Sequence, residues 1–114
     1  MIYHTYGKTG IKVSAIGFGG MRFVNQDDVD GCAGLVKAAY DRGISYFDTA
    51  PGYGKSEDLF GVAIKEMSKT RGKRPFYIAT KTSKTEPAEV RRELESSLKR
   101  MNLDYVDFYH VWCI

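Results

Sequence analysis

Short apolar runs and helically spaced apolar positions alternate along this chain from residue 14 onward. Ser14-Ala15-Ile16-Gly17-Phe18 reads as a buried strand ending in the turn Gly19-Gly20. Val29, Cys32 or Ala33, Val36, and Ala39 or Tyr40 follow at helical spacing. Asp27 and Asp28 sit where that helix starts, at the positive end of its dipole, and Gly43 lies just past its end. Ile44-Ser45-Tyr46-Phe47 makes a second strand, and the loop Thr49-Ala50-Pro51-Gly52-Tyr53-Gly54 leads to Ser56, a helix N-cap by residue type. Leu59, Ala63 and Met67 then recur on one helix face, flanked by Phe60 and Ile64. Phe76-Tyr77-Ile78-Ala79-Thr80 is the third strand. Pro87 opens a third helix, in a first turn where a missing N–H costs little. Its apolar stripe is Val90, Leu94, Leu98 and Met101, and Arg91–Glu95 and Glu95–Lys99 are spaced to pair on the outer face. Asn102 closes it, and Val106 through Val111 form a fourth strand.

These strand–helix units recur about every thirty residues, the length a parallel sheet with helical crossovers requires. The fold class is therefore α/β. Two architectures fit this spacing equally, a (β/α)₈ barrel and a doubly wound open sheet. Residues 1–13 stand apart from the βα units that begin at 14. Tyr3-His4-Thr5-Tyr6, a turn at Gly7-Lys8-Thr9-Gly10, and Ile11-Lys12-Val13 predict a small β-hairpin ahead of the main fold.

Polar residues fall at informative places in this pattern. Asp48 follows the second strand, Lys81 follows the third, and His110 ends the fourth. Tyr53 lies on the loop just beyond Asp48. Parallel strands deliver all of their C-terminal ends to one rim, where α/β folds place their sites. Singly, each residue has an ordinary reading: a turn aspartate, an exposed loop tyrosine, a surface lysine, a core histidine. Together they form a chemical unit. A phenol ionises near pH 10, too high for easy proton exchange at neutral pH, and a neighbouring ammonium favours its phenolate. An aspartate keeps the lysine charged and fixed, and a histidine can hydrogen-bond a substrate oxygen. That is a general acid with an electrostatic clamp on a carbonyl oxygen. A side chain cannot provide hydride, so carbonyl reduction implies a nicotinamide cofactor.

Composition narrows the alternatives. With 43% hydrophobic and 27% charged residues, the chain is built like an ordinary globular protein. A net charge of +3 is too small to argue for nucleic acid or an anionic membrane as partner. The densest basic run, Lys69 to Arg74, reads as a solvated helix-to-strand loop. Cys32 and Cys113 form no CxxC or Cys/His cluster, which supports neither a disulfide framework nor a metal site and fits a reducing compartment. No signal peptide or membrane span is visible, so the cytoplasm is the expected location. The loop Pro51-Gly52-Tyr53-Gly54-Lys55-Ser56 has the spacing of neither phosphate-binding motif, GxxxxGK[ST] or GxGxxG. Its glycines read as freedom for a loop that presents Tyr53.

Gly43-Ile44-Ser45-Tyr46-Phe47-Asp48-Thr49-Ala50, followed by Tyr53 and by Ser56-Glu57 before Leu59-Phe60-Gly61, resembles the first signature of the aldo-keto reductase family. Ala79-Thr80-Lys81 resembles that family's lysine-bearing strand end, and Leu103 through His110 its histidine-bearing strand. Tyr6 to Gly10 and Ser14 to Gly19 resemble its hairpin and first strand. The resemblance implies a (β/α)₈ TIM barrel closed below by an N-terminal β-hairpin, with about the first half present here. It implies a tetrad of Asp48, Tyr53, Lys81 and His110. Tyr53 would donate the proton, Lys81 paired with Asp48 would activate it, and His110 would orient the carbonyl. It implies NADP(H), with NAD(H) left open, and a small-molecule aldehyde or ketone as substrate. Gly20, Met21 and Arg22 would lie at the nicotinamide, Asp48 near its ribose, and Trp112 along the substrate pocket.

A closed barrel needs about 250 residues, whereas this chain has 114 and stops just after its fourth strand. The expectation is a fragment with little or no reductase activity alone, since the family's adenosine-phosphate pocket lies in the C-terminal half. Two alternatives stand beside it. One is a half barrel that associates with another chain through exposed strand edges. The other is a regulatory subunit that binds cofactor without catalysis.

Overall fold

The computed structural model describes residues 1–113. Two short strands open the chain, β1 (Tyr3–Thr5) and β2 (Lys12–Ser14), paired antiparallel with His4 opposite Val13. The main sheet is parallel, with strand order β3 (Phe18–Gly19), β4 (Tyr46–Asp48), β5 (Tyr77–Thr82) and β6 (Phe108–Val111). The helices α1 (Val29–Asp41), α2 (Ser56–Met67) and α3 (Pro87–Met101) make the crossovers. Each strand pairs with its predecessor and the order never reverses. A doubly wound sheet reverses at its switch point, so this order settles the architecture as part of a β/α barrel.

Local chemistry fixes the helix ends. The Asp28 carboxylate accepts from the Gly31 N–H at 3.0 Å and caps α1. Pro87 stands in the first turn of α3, and Asn102 ends that helix in the left-handed conformation at φ 56°. Gly61 lets α2 and α3 touch, because a Cβ there would lie 2.3 Å from the Arg100 carbonyl oxygen. The core fills the layer between the sheet and these helices. Phe47 and Ile78 from the sheet meet Val36 and Tyr40 of α1, Phe60, Ile64 and Met67 of α2, and Met101 of α3. Burying one such side chain fully contributes about 1.5–3 kcal/mol.

The hairpin closes the strand N-terminal end. The Tyr6 ring stacks on Tyr46, the first residue of β4, and lies 4.5 Å from the ring of Phe108, the first residue of β6. At the same end Ser14 and Ser45 exchange bonds, each backbone N–H donating to the other's hydroxyl at 2.9 Å. Ser14 pairs with Tyr3 and so belongs to the hairpin, and only Phe18–Gly19 remain as the first barrel strand, shorter than the pattern predicts.

Other elements also differ from expectation. Ser56 is the first helical residue of α2 rather than its cap, and its hydroxyl turns inward to Thr49 Oγ1 at 2.7 Å. The third strand runs to Thr82, so Lys81 lies within it. On α3, Ser97 and Met101 are buried, while Val90, Leu94 and Leu98 are only half-buried. This helix packs beside α2 on one flank, which turns the apolar stripe sideways. Arg91 and Glu95 are exposed and make no ion pair with one another or with Lys99 among the described residues. The basic run is not wholly solvated. The Arg71 guanidinium sits on the Phe76 and Tyr105 rings and bonds Asp107 at 2.9 Å, and Arg74 covers the Tyr40 ring.

Candidate active site

The β4 and β5 strands place Asp48 and Lys81 at the C-terminal rim of the sheet. Lys81 Nζ donates to Asp48 Oδ1 and Oδ2, both at 2.9 Å, and to the Thr49 carbonyl at 2.8 Å. Three acceptors match the three donors of an ammonium. That match is needed because Lys81 is only 8% exposed, and a buried charge without partners is costly. The Asp48 side chain stays one-third exposed, at 33%. Its carboxylate therefore ties down the amine and still faces the mouth.

Tyr53 comes to the same place from the loop. Its ring lies face-on to the amine, with Lys81 Nζ 4.7 Å from the ring centroid, within the range of a cation–π attraction. His110 stands directly opposite Lys81 in the parallel register of β5 and β6. Paired residues of adjacent strands share a face of the sheet, so the imidazole is on the side that carries the amine. Trp112 approaches Tyr53 edge-on, with ring centroids 6.3 Å apart. A cleft of about 240 Å³ opens beside the amine, lined by Gly52, Lys81, Ser83, Lys84 and Trp112 among others. The structure thus brings Asp48, Tyr53, Lys81, His110 and Trp112 to one mouth.

The loop after β3 divides. Met21 and Arg22 are exposed. Gly20 is buried, its N–H bonds the Asp48 carbonyl at 2.7 Å, and a Cβ would come within 2.4 Å of the Phe60 ring and 2.5 Å of Ser56 Oγ. Packing therefore explains this glycine, and of the three residues expected at the nicotinamide only Met21 and Arg22 offer side chains to the rim.

Three supporting residues escaped the reading of the sequence. The Thr49 carbonyl completes the lysine's donor set, and the Thr49 side chain is fully buried. Glu57, 1% exposed, accepts from Thr80 Oγ1 at 2.8 Å and from two nitrogens of Arg100 at 2.7 and 3.0 Å. It fixes the strand residue next to Lys81. Gln26 grips the Tyr53 loop from the loop before α1. Thr49 and Glu57 sit inside the signature stretch, where their types could have been noted. Gln26 carries no sequence signal.

Fold and site together define a β/α-barrel protein with a triply bonded lysine beside a tyrosine at its strand C-terminal mouth. The chain belongs to the aldo/keto reductase family, whose family model matches residues 15–114. It is 37% identical over 118 residues to "L-galactose dehydrogenase" of Arabidopsis thaliana, covering 91% of this chain and 35% of that protein. To "Aldo-keto reductase YhdN" of Bacillus subtilis (strain 168) it is 36% identical over 127 residues, covering 97% and 38%. Among solved structures, the thermostable aldo-keto reductase Tm1743 in complex with the inhibitor epalrestat superposes with a TM-score of 0.83 at 31% identity, over 97% of this chain and 42% of that one. The chain thus spans well under half the length of these relatives.

Proposed function

We propose that the protein reduces an aldehyde or ketone to an alcohol with NADP(H) or NAD(H), and that Tyr53 donates the proton. The observation behind this reading is the Lys81 ammonium, held by Asp48 and Thr49 and set over the face of the Tyr53 ring. When bound, the cofactor supplies the hydride. As negative charge develops on the substrate oxygen, the Tyr53 hydroxyl gives up its proton to it. The ammonium, itself buried and held by three acceptors, stabilises the phenolate left behind. Asp48 holds that ammonium in place, and His110 orients the carbonyl by a hydrogen bond. Trp112, along the cleft beside Tyr53, lines the substrate pocket.

The residues fit the nicotinamide end of such a cofactor. The exposed part of the Asp48 carboxylate keeps lone pairs for a ribose hydroxyl. Met21 and Arg22 follow Gly20, whose N–H bonds the Asp48 carbonyl, and their exposed side chains would be available to the same end of the cofactor.

The test is Tyr53→Phe in the intact protein. Carbonyl reduction should fall by at least about a hundredfold, the scale of a lost general acid, while cofactor binding followed by fluorescence titration is retained. A variant that keeps most of its turnover would show that the proton comes from elsewhere. A second reading has one observation in its favour. A "Probable voltage-gated potassium channel subunit beta" of Arabidopsis thaliana is 34% identical over 119 residues, covering 94% of this chain and 36% of that protein. On that reading the protein is an auxiliary subunit that binds cofactor. Cofactor oxidation against a panel of carbonyl compounds separates the two.

A further inference from the structure

The loop that carries Tyr53 is anchored at its two ends, by the buried Thr49 and Ala50 and by Ser56, whose hydroxyl meets Thr49 Oγ1 at 2.7 Å, while its middle is exposed or half-buried. Between β4 and α2 its backbone makes local turns, with the Tyr53 N–H on the Ala50 carbonyl at 3.1 Å and the Ser56 N–H on the Tyr53 carbonyl at 3.2 Å. Such turns set the shape of the loop but not its position over the sheet. At the middle of the loop, position comes from a side chain on the loop just before α1. Gln26 Nε2 donates to the Tyr53 carbonyl at 3.0 Å, and Gln26 Oε1 accepts from the Lys55 N–H at 2.8 Å.

A neutral amide suits this pair of bonds. It faces a backbone acceptor and a backbone donor two residues apart, and it offers one donor and one acceptor in the matching order. A glutamate would set an oxygen against the Tyr53 carbonyl. The residue between the two bonds is adapted to the grip. Gly54 takes φ +62°, and a Cβ on it would lie 2.4 Å from Gln26 Oε1. The neighbouring ion pair, Lys55 Nζ to Asp27 Oδ1 at 2.6 Å, joins the same two loops, but its side chains are 60% and 81% exposed. An exposed pair of this kind holds little, so of these two links between the loops the amide is the stronger.

We infer that Gln26 is a positioning residue for the proton donor, clamping the backbone on both sides of Gly54 so that the Tyr53 phenol stays in register with the Lys81 ammonium. This rests on the reading of Tyr53 as the donor. The clamp also links the loop bearing Met21 and Arg22 to the loop bearing Tyr53.

The test uses Gln26→Met, which keeps the side-chain length without the hydrogen bonds, and Gln26→Glu, which keeps the acceptor and loses the donor. In the intact protein both should lower kcat about tenfold or more, as a small misplacement of a reacting group does. KM for the carbonyl and Kd for NADPH should change by less than about twofold. Asp27→Ala, which removes only the exposed ion pair, should turn over like the parent. Gln26→Met with the parent's kcat, or with a loss confined to KM, overturns the inference. Tyr53→Phe measured alongside keeps the two ideas apart. If Tyr53→Phe abolishes turnover while Gln26→Met leaves it intact, the positioning role alone fails. If Tyr53→Phe turns over freely, the donor assignment has failed first.

Discussion

At the scale of single residues, environment decides what each phenol can do. Tyr46 sits between Tyr6, Phe108 and Asp48, and burial, with Tyr6 and Asp48 adding to it, pushes its hydroxyl from 10.0 up to about 12. Burial also raises the Tyr109 phenol. An unfolded chain loses the Tyr46 proton near pH 10, whereas the folded chain holds it to about 12. The stability this contributes is whole below pH 10 and is lost as pH climbs toward 12. The melting temperature should therefore fall across that window, and Tyr46→Phe should make the fall shallower. Thermal unfolding at stepped pH measures both; an equally steep fall in the variant would assign it to other groups. At this scale the sequence was most informative where chemistry follows a strand. Asp48, Lys81 and His110 could be read because strand C-termini point one way, and Tyr53 because of its nearness to Asp48. Gln26 could not, since a loop glutamine has no periodicity and its partners are backbone groups of another loop. Gly20's tight packing against Phe60 and Ser56 could not be read either, because a glycine that packs and a glycine that binds look alike in sequence.

Between elements, the site depends on ties that lie behind it. Glu57 on α2 reaches Arg100 on α3 and Thr80 on β5, so one buried carboxylate joins three elements next to Lys81. Removing it would leave the Thr80 hydroxyl unpaired and a guanidinium, one-third exposed at 34%, with only a long bond to Ser97 Oγ. Breaking a buried pair costs about 3–5 kcal/mol, and partial solvation of Arg100 brings the expected loss for Glu57→Ala to about 2 kcal/mol. Urea unfolding of the intact protein checks this, and a loss near zero would mean that water replaces the carboxylate freely. Helix positions were legible at this scale because apolar spacing marks them, with Asp28 and Gly43 framing α1 and Pro87 and Asn102 framing α3. Strand limits were less so. Ser14 went to the hairpin because it pairs with Tyr3, and Lys81 lay inside β5 because pairing with β6 continues to Thr82. The half-buried stripe of α3 differs from expectation because helical spacing gives the face of a helix and not the number of its neighbours.

For the molecule as a whole, strand order and family were within reach of the sequence, since four separate stretches resemble one family in the right succession. The choice between barrel and open sheet needed the structure, or that resemblance, because both architectures share the same βα spacing. In the folded chain the hairpin closes one end of the sheet with Tyr6, and the other end gathers an acid, an amine, a phenol and an imidazole. The central claim is that these groups work as one unit. A double-mutant cycle on kcat tests it, with Tyr53→Phe, Lys81→Met and the combined variant made in the intact protein. Groups that act together give losses that do not add, so the double variant should be no slower than the slower single one. Losses that multiply, each substitution costing the same with or without the other, would mean that the ammonium and the phenol serve separate purposes.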